Sequence, residues 1–398
     1  MVELQVPDWL RLRIAAAGGA VSFATYMDWV LHDAEHGAYG AGKLRIGPEG
    51  DFATSPSLGP DFAGLLAVQL ADWLGQFPHD QPLGLVEAGP GEGSLALDLA
   101  WQMQRHWPDL AGRLSLVLVE PNPGMAERQR TLLSNCPLPL RWSTFAELAA
   151  DPVQGVVLAH EVLDALAVER IVWSDGKWCQ QLVCLVDGDA EASLQLLPGP
   201  ALSPAADGQL VQLGLLPANP QRGEGWSSEL HPGLEPWLGD CAAALSAGML
   251  LVVDYAHEAW RYYAPPRSEG TLMAYRDQRA SGDPLLDPGS WDLTAHICIE
   301  SLEAAAAASG WQALGQCRQG QALLALGLAE RLHGLQQLEL GELLPRREAL
   351  LRLVDPIALG DFRWLAFSRN QAPLQPLFSR EPGPPTTAAD SGQPDRVG

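Results

Sequence analysis

The residues with the clearest chemical potential in this 398-residue chain close an apolar run with an acid and then with alternating glycines: Val86-Glu87-Ala88-Gly89-Pro90-Gly91-Glu92-Gly93. Glycines let the backbone turn sharply and let a ligand approach without meeting a Cβ. A helix that opens behind them offers free N–H groups to that ligand. The spacing is Gly89-x-Gly91-x-Gly93, whereas a dinucleotide fingerprint needs its last glycine at position 94, which is Ser94 here. An acid at the strand end also suits a pyrophosphate poorly and a cation well. S-adenosylmethionine carries an ammonium and a sulfonium, and Glu87 is placed to complement that charge, directly or through water. A second acid, Glu120, closes the next apolar run, Leu114-Ser115-Leu116-Val117-Leu118-Val119. A carboxylate there can accept both ribose hydroxyls. The plainer alternative is a tight strand-to-helix turn and a surface glutamate; two acids at consecutive strand ends favour the cofactor.

A third set follows the apolar run 155–159: His160, Glu161 and Asp164. On the first turn of a helix, Glu161 and Asp164 would share one face and point into the cleft at the carboxyl ends of the strands. Methyl transfer from a sulfonium is an in-line displacement that depends on alignment. A guanidinium is held flat and its charge balanced by paired carboxylates. The same acids also read as a helix cap and a complement to the helix dipole. His160 would exchange hydrogen bonds with a substrate when neutral and repel an arginine when protonated. Asp292 and Thr294, with His296, either complete the acceptor side from a later loop or form a strand-end turn capped by Asp292.

These residues need a scaffold that brings strand ends together. From position 83 short apolar runs alternate with helical stretches, the pattern of an α/β fold with a parallel sheet covered on both faces. The expected strands are 84–87, 114–120, 155–159 and 249–254, and a helix over 94–107 stops at Pro108. Upstream, Phe62, Leu65, Leu66, Gln69, Leu70, Trp73 and Leu74 follow helical spacing with Asp61 as the N-cap. The segment 187–225, rich in Gly, Pro, Ala and Asp, reads as an irregular excursion or β-hairpin insert. Helices are expected at 301–309 and around 334–352. The organisation that follows is an N-terminal helical and loop region to residue 80, a Rossmann-like domain over 81–330 with an insert at about 175–230, a helical extension over 331–369, and a disordered tail over 370–398.

The charge balance, 25 Lys plus Arg against 48 Asp plus Glu for a net −23, disfavours nucleic acid and anionic membranes and favours a basic protein segment as partner. Six scattered cysteines form no C-x-x-C pair, which argues against a zinc site or a disulfide framework and leaves no metal expected. No signal-peptide pattern opens the chain, and the apolar stretch 242–253 is too short to span a bilayer. A cytoplasmic location is the expectation.

Taken in order, the motifs are specific. Gly50-Asp51-Phe52-Ala53-Thr54-Ser55-Pro56, the run 85–95, Glu120-Pro121-Asn122-Pro123 with Gln129, and His160-Glu161-Val162-Leu163-Asp164-Ala165-Leu166 resemble the MidA-like methyltransferases. Gly248 to Tyr255, Gly270-Thr271-Leu272, Asp292-Leu293-Thr294-Ala295-His296 and Gly360-Asp361-Phe362 continue the resemblance, which spans about residues 22 to 367. That family includes the mitochondrial assembly factor that methylates an arginine on a core subunit of respiratory complex I. The resemblance implies a class I methyltransferase fold, a doubly wound Rossmann-like sheet with added helical and β segments. It also implies S-adenosylmethionine as cofactor, with Thr54 and Ser55 joining the glycines around it, and a protein arginine as acceptor. Two positions depart from the family: its leading Asn at the fourth strand end is His160 here, and its basic residue in the glycine loop is Glu92. The first leaves a small nitrogen or oxygen nucleophile open as acceptor. A non-catalytic assembly chaperone that keeps the pocket is the third reading.

Overall fold

The computed structural model of the chain describes residues 6–45, 47, 50, 54–186 and 192–380. Strands are numbered in chain order throughout. The apolar runs form a seven-stranded sheet from β2 (Leu83–Ala88), β3 (Leu114–Val119), β4 (Leu140–Ser143), β5 (Val153–His160), β10 (Leu245–Asp254), β16 (Gln312–Arg318) and β17 (Arg363–Arg369), in the order β16-β17-β10-β5-β2-β3-β4. Strands β4, β3, β2, β5 and β10 run parallel, and β17 is antiparallel to both β10 and β16. The runs are continuous rather than alternating because both faces are buried. Leu85, Leu116, Val156, Met249 and Leu251 pack under the helices Pro60–Leu74 and Ser94–His106. Val86, Val117, Val157, Leu250 and Val252 pack under Leu234–Ala244 and Ile299–Ala308. Strand order reverses between β2 and β5, so the loops after these strands part to opposite sides and leave a crevice, the place where such sheets bind ligands.

Three smaller sheets accompany the main one. β6 (Glu169–Ser174), β7 (Lys177–Val186), β8 (Ser193–Ala201) and β9 (Ser227–Leu230) form an antiparallel sheet with β1 (Ala20–Ser22). β12 (Met273–Arg276) lies between β13 (Arg279–Ser281) and β14 (Asp292–Thr294), and the short β11 (Ala256–His257) and β15 (Ile297–Cys298) pair in parallel.

Several expectations change in detail. Asp61 does not cap its helix; Gly59 precedes the helix Pro60–Leu74, and buried Asp61 instead accepts from Arg331 at 2.9 Å and Arg346 at 2.7 and 2.9 Å. Glu161 and Asp164 do not begin an α-helix: only a 3-10 turn, Leu163–Ala165, follows β5, and Glu161 has φ +53°. The stretch 331–369 is not wholly helical, since β17 lies inside the main sheet. The segment 370–380 is placed, with Phe378 buried against Trp73 and Trp364, so the disordered tail does not begin at 370. Residues 187–191 of the excursion, 51–53 of the Gly50–Pro56 motif, and 381–398 lie outside the described residues.

Candidate active site

β2 delivers Glu87 into the protein and then turns through three glycines with φ of +60°, +55° and +90° at 89, 91 and 93. Position 89 tolerates no side chain: a Cβ there would lie 2.9 Å from Val162 Cγ2. The missing side chain lets the turn after β5 press against the glycine loop. Glu87 is 5% exposed, and burial alone pushes its carboxyl up to about 8. A buried acid of this kind is stabilised by an incoming cation. Glu120, after β3, is held at both oxygens. The Asn122 N–H donates to Oε1 at 2.8 Å and Gln129 Nε2 to Oε2 at 3.0 Å. Burial still raises its carboxyl above the usual value, those two bonds opposing. A carboxylate has about four lone-pair sites, so both oxygens retain acceptor capacity for hydroxyls. Gln129 is the strut of this half. It is fully buried, donates also to Gly91 O at 2.7 Å and accepts from Trp142 Nε1 at 2.8 Å, fixing the glycine loop against Glu120. The set fits S-adenosylmethionine: an acid without a cation, a cradle without side chains, and a second acid one strand away.

Across the crevice four carboxyl groups meet. Asp254, at the end of β10, is fully buried, and its Oδ2 accepts from the N–H groups of Val162 at 3.2 Å, Leu163 at 2.9 Å and Asp164 at 3.4 Å. Its Oδ1 accepts from Tyr255 N at 2.8 Å. These bonds shape the turn that presents Glu161 and Asp164. Burial raises the Glu161 carboxyl well above its usual range; Asp254 and Asp292 add to the rise, and the Ser55 N–H opposes it. Asp164 is raised by burial and then by Asp254, Asp292 and Glu161. Among the described residues no lysine or arginine forms an ion pair with Glu161, Asp164 or Asp254. Glu161 Oε1 is buried and, among the described residues, has no hydrogen-bond partner, lying 3.4 Å from His160 Nδ1. His160 sits between Phe62 and Phe362, and burial pushes it down to about 3. It is therefore neutral near pH 7 and does not repel a cation. Among the described residues these acids form no group that could hold a metal ion.

Asp292 is brought in by β14, whose register sets it opposite Tyr275 on β12. Thr294 lies two residues on, paired with Met273, and the next residue, Ala295, donates its N–H to Asp164 O at 2.9 Å. Three tyrosines also face the cluster: Tyr39 and Tyr275, absent from the sequence reading, and Tyr255, which appeared there only at the end of a motif. Tyr39 feels the charges of Asp292, Asp164 and Glu161; Tyr255 those of Glu161, Asp164 and Asp254; Tyr275 those of Asp164 and Asp292. Burial, followed by these carboxylates, raises all three phenols. Tyr255 further stacks on His296 at 5.4 Å. Thr54 and Ser55 make their own bonds to the core, to Glu161 and within their turn. The Ser55 hydroxyl pairs with Gln319 in the core while its N–H serves Glu161, and the Thr54 backbone is bonded to Ser57. The turn Ser55–Leu58 does pack on the helix that follows the glycine loop.

Read by first appearance, the sheet runs 3-2-1-4-5-7-6 with the seventh strand reversed. With the crevice just described it defines an S-adenosyl-L-methionine-dependent methyltransferase. The model of that family, Methyltransf_28, matches residues 65–317, and the chain belongs to it. It is 30% identical over 388 residues to the mitochondrial protein arginine methyltransferase NDUFAF7 homolog of Drosophila melanogaster, covering 90% of this chain and 83% of that one. It is 25% identical to the human mitochondrial protein arginine methyltransferase NDUFAF7, over 79% of this chain and 71% of that one. Among solved structures, a COG1565 superfamily member from Burkholderia thailandensis bound to S-adenosyl-homocysteine superposes with a TM-score of 0.80 at 27% identity, covering 96% of this chain and 98% of that one. The enzyme is thus a methyltransferase with S-adenosylmethionine as its cofactor. The expected cytoplasmic location is overturned by the relatives, which are named as mitochondrial proteins.

Proposed function

We propose that this methyltransferase acts on an arginine side chain of a partner protein. The carrying observation is the group of buried carboxyls, Glu161, Asp164 and Asp292, beside the glycine loop, with Glu161 Oε1 lacking a partner among the described residues. Burying several acids together is costly unless a cation joins them. A guanidinium is a planar cation with five donors, matched to such acceptors. Relatives named as protein arginine methyltransferases support the reading. The net charge of −23 favours a basic segment as the partner, and a subunit of respiratory NADH dehydrogenase is the first partner to test.

In this reading Glu87 takes the ammonium of S-adenosylmethionine and Glu120 its ribose hydroxyls, with Gly89, Gly91 and Gly93 leaving room between them. Bound there, the cofactor supplies an electrophilic methyl. Glu161 fixes the guanidinium plane and takes up, at Oε1, the proton that the acceptor nitrogen gives up as it gains the methyl. Asp164 and Asp292 balance the charge from the far side. His160, neutral and wedged between aromatic rings, sets the floor without repelling the substrate. Glu161→Gln keeps size and removes charge. This variant should bind S-adenosylhomocysteine nearly as the parent does and lose methyl transfer by about a hundredfold or more, the scale of one well-placed electrostatic group. Calorimetry, with mass spectrometry of the partner isolated with either form, measures both. Full methylation by the variant would remove Glu161 from the chemistry.

A further inference from the structure

The helix Leu340–Val354 is held from one side. Leu350 and Leu353 are buried in the main core, and Arg346 fixes the helix's rotation by bonding Asp61 at 2.7 and 2.9 Å and Glu342 at 3.1 Å. Its other side carries a ridge and a groove. Leu340 and Leu344, 72% and 56% exposed, lead to exposed Glu348 at successive i+4 steps. One row over, Leu343, Arg347 and Leu351 form one wall of a groove of about 610 Å³. Its other wall is Ala329, Leu332 and Leu335, from the preceding helix Leu328–Gly334 and the turn after it. Leu351 is 46% exposed, and Ile357, just beyond the helix, is 95% exposed. Arg346 forms two ion pairs, whereas its neighbours Arg347 and Glu348 form none among the described residues.

We propose that this face docks a second copy of the chain across a two-fold axis. Ridge and groove lie side by side on one helix, so an axis that seats one copy's ridge in the other's groove does the same in return. With the two helices antiparallel, one register satisfies every exposed group. Leu344 falls on the other copy's Leu351, Glu348 on its Arg347, and Leu340 over the stretch that holds its Ile357. Shape and charge are thus self-complementary, and both unpaired charges find partners. The charge balance points to the same occupant. A net charge of −23 repels a second copy from most approaches, but over residues 328–354 four arginines balance four glutamates. The chain's own last segment is no filler for the groove, since residues 381–398 contain no Leu, Ile, Met or aromatic residue.

Sedimentation equilibrium of the full chain, from about 1 to about 100 µM, should show a dimer that dissociates on dilution, as small interfaces do. Leu344→Glu drives a carboxylate into the groove and should weaken the dimer about thirtyfold or more. Arg347→Glu sets like charges opposite one another and should weaken it about tenfold. Adding Glu348→Arg to that variant restores opposite charges and should bring association back to within about threefold of the parent. None of these residues lies in the cofactor or acceptor site. S-adenosylhomocysteine affinity, read by calorimetry, should therefore stay within about twofold in every variant, which also shows each to be folded. A parent that sediments as a monomer throughout would overturn the second copy as occupant. Undiminished dimerisation of Leu344→Glu would overturn this face, and a double variant as weak as Arg347→Glu would overturn the register.

Discussion

Glu87 illustrates how much of the site turns on a single ionisation. Its carboxyl rises to about 8 from an ordinary 4.5 because burial removes water and, among the described residues, no cation replaces it. Between these values the folded protein keeps a proton that the unfolded chain releases, so Glu87 costs stability progressively as the pH rises through that window. Glu87→Gln removes the cost. Without cofactor, the variant should melt higher than the parent near about pH 8, and the difference should close below about pH 4.5. With S-adenosylmethionine the order reverses: affinity of the parent should climb with pH toward about 8, while that of Glu87→Gln stays low and flat. Thermal melts across pH, with and without ligand, check both; parallel melting curves would mean the carboxyl is solvated in the folded state. Glu87 and Glu120 were readable in the sequence because each ends an apolar run beside glycines or a proline. Asp254 ends such a run too and was quoted within a motif, but nothing around it in sequence shows that its partners are N–H groups some ninety positions earlier. Tyr39 and Tyr275 carry no local signal, since only the sheet and the bond from Asn122 Nδ2 to Tyr39 O bring them to the acids.

At the level of elements, the decisive piece is the short turn between β5 and β6. Sequence spacing suggested a helix bearing Glu161 and Asp164 on one face, and the acids do converge, but by a different route. Asp254 gathers three successive N–H groups that a longer helix would also have left unpaired, and the chain departs into β6 after one 3-10 turn. Glu161 then adopts φ +53°, a left-handed conformation that costs a non-glycine residue of order 1 kcal/mol and places its side chain in the crevice. Asp254→Ala should therefore strip the cap and destabilise the protein by about 3 kcal/mol. Methyl transfer should fall more than cofactor binding does. Asp254→Asn, which keeps one acceptor oxygen for the three donors, should lie between the two. Chemical denaturation and S-adenosylhomocysteine calorimetry on both variants measure the difference; equal stability of the Ala variant and the parent would show that the turn holds itself. The four strands expected, β2, β3, β5 and β10, were recovered within a few residues, because continuous apolar runs flanked by turns leave little choice, whereas β4, β16 and β17 were not read. The antiparallel sheet of β6 to β9 was less readable, since β8 carries Pro198, Gly199 and Pro200 and the buried β9 is mostly polar, Ser227-Ser228-Glu229-Leu230.

Across the whole molecule, the first and last described segments are tied into structure that the middle builds. β1 pairs with β7, in register Ala20 with Cys184, so the N-terminal segment completes the accessory sheet and is no separate cap. At the other end Phe378 packs on Trp73 and Trp364, and its N–H donates to Gln69 Oε1 at 3.2 Å. Phe378→Ala should cost about 3–5 kcal/mol, as for other large buried aromatics, read from chemical denaturation. A cost near zero would show that the segment rests on the surface. Composition hid this contact, because one aromatic among Pro, Gln and Ser residues looks like tail. The strand order carries a further consequence for the chain as it is made. Among the described residues β17 is the last strand to leave the ribosome, yet it lies between β10 and β16. Until it arrives, β10 shows an open edge and β16 cannot dock, although every strand carrying a cofactor-side acid is already in place. Open strand edges are where unfinished chains adhere to one another. For a nascent copy of this enzyme, the dangerous edge therefore lies inside the finished sheet and persists until residues 363–369 have been made.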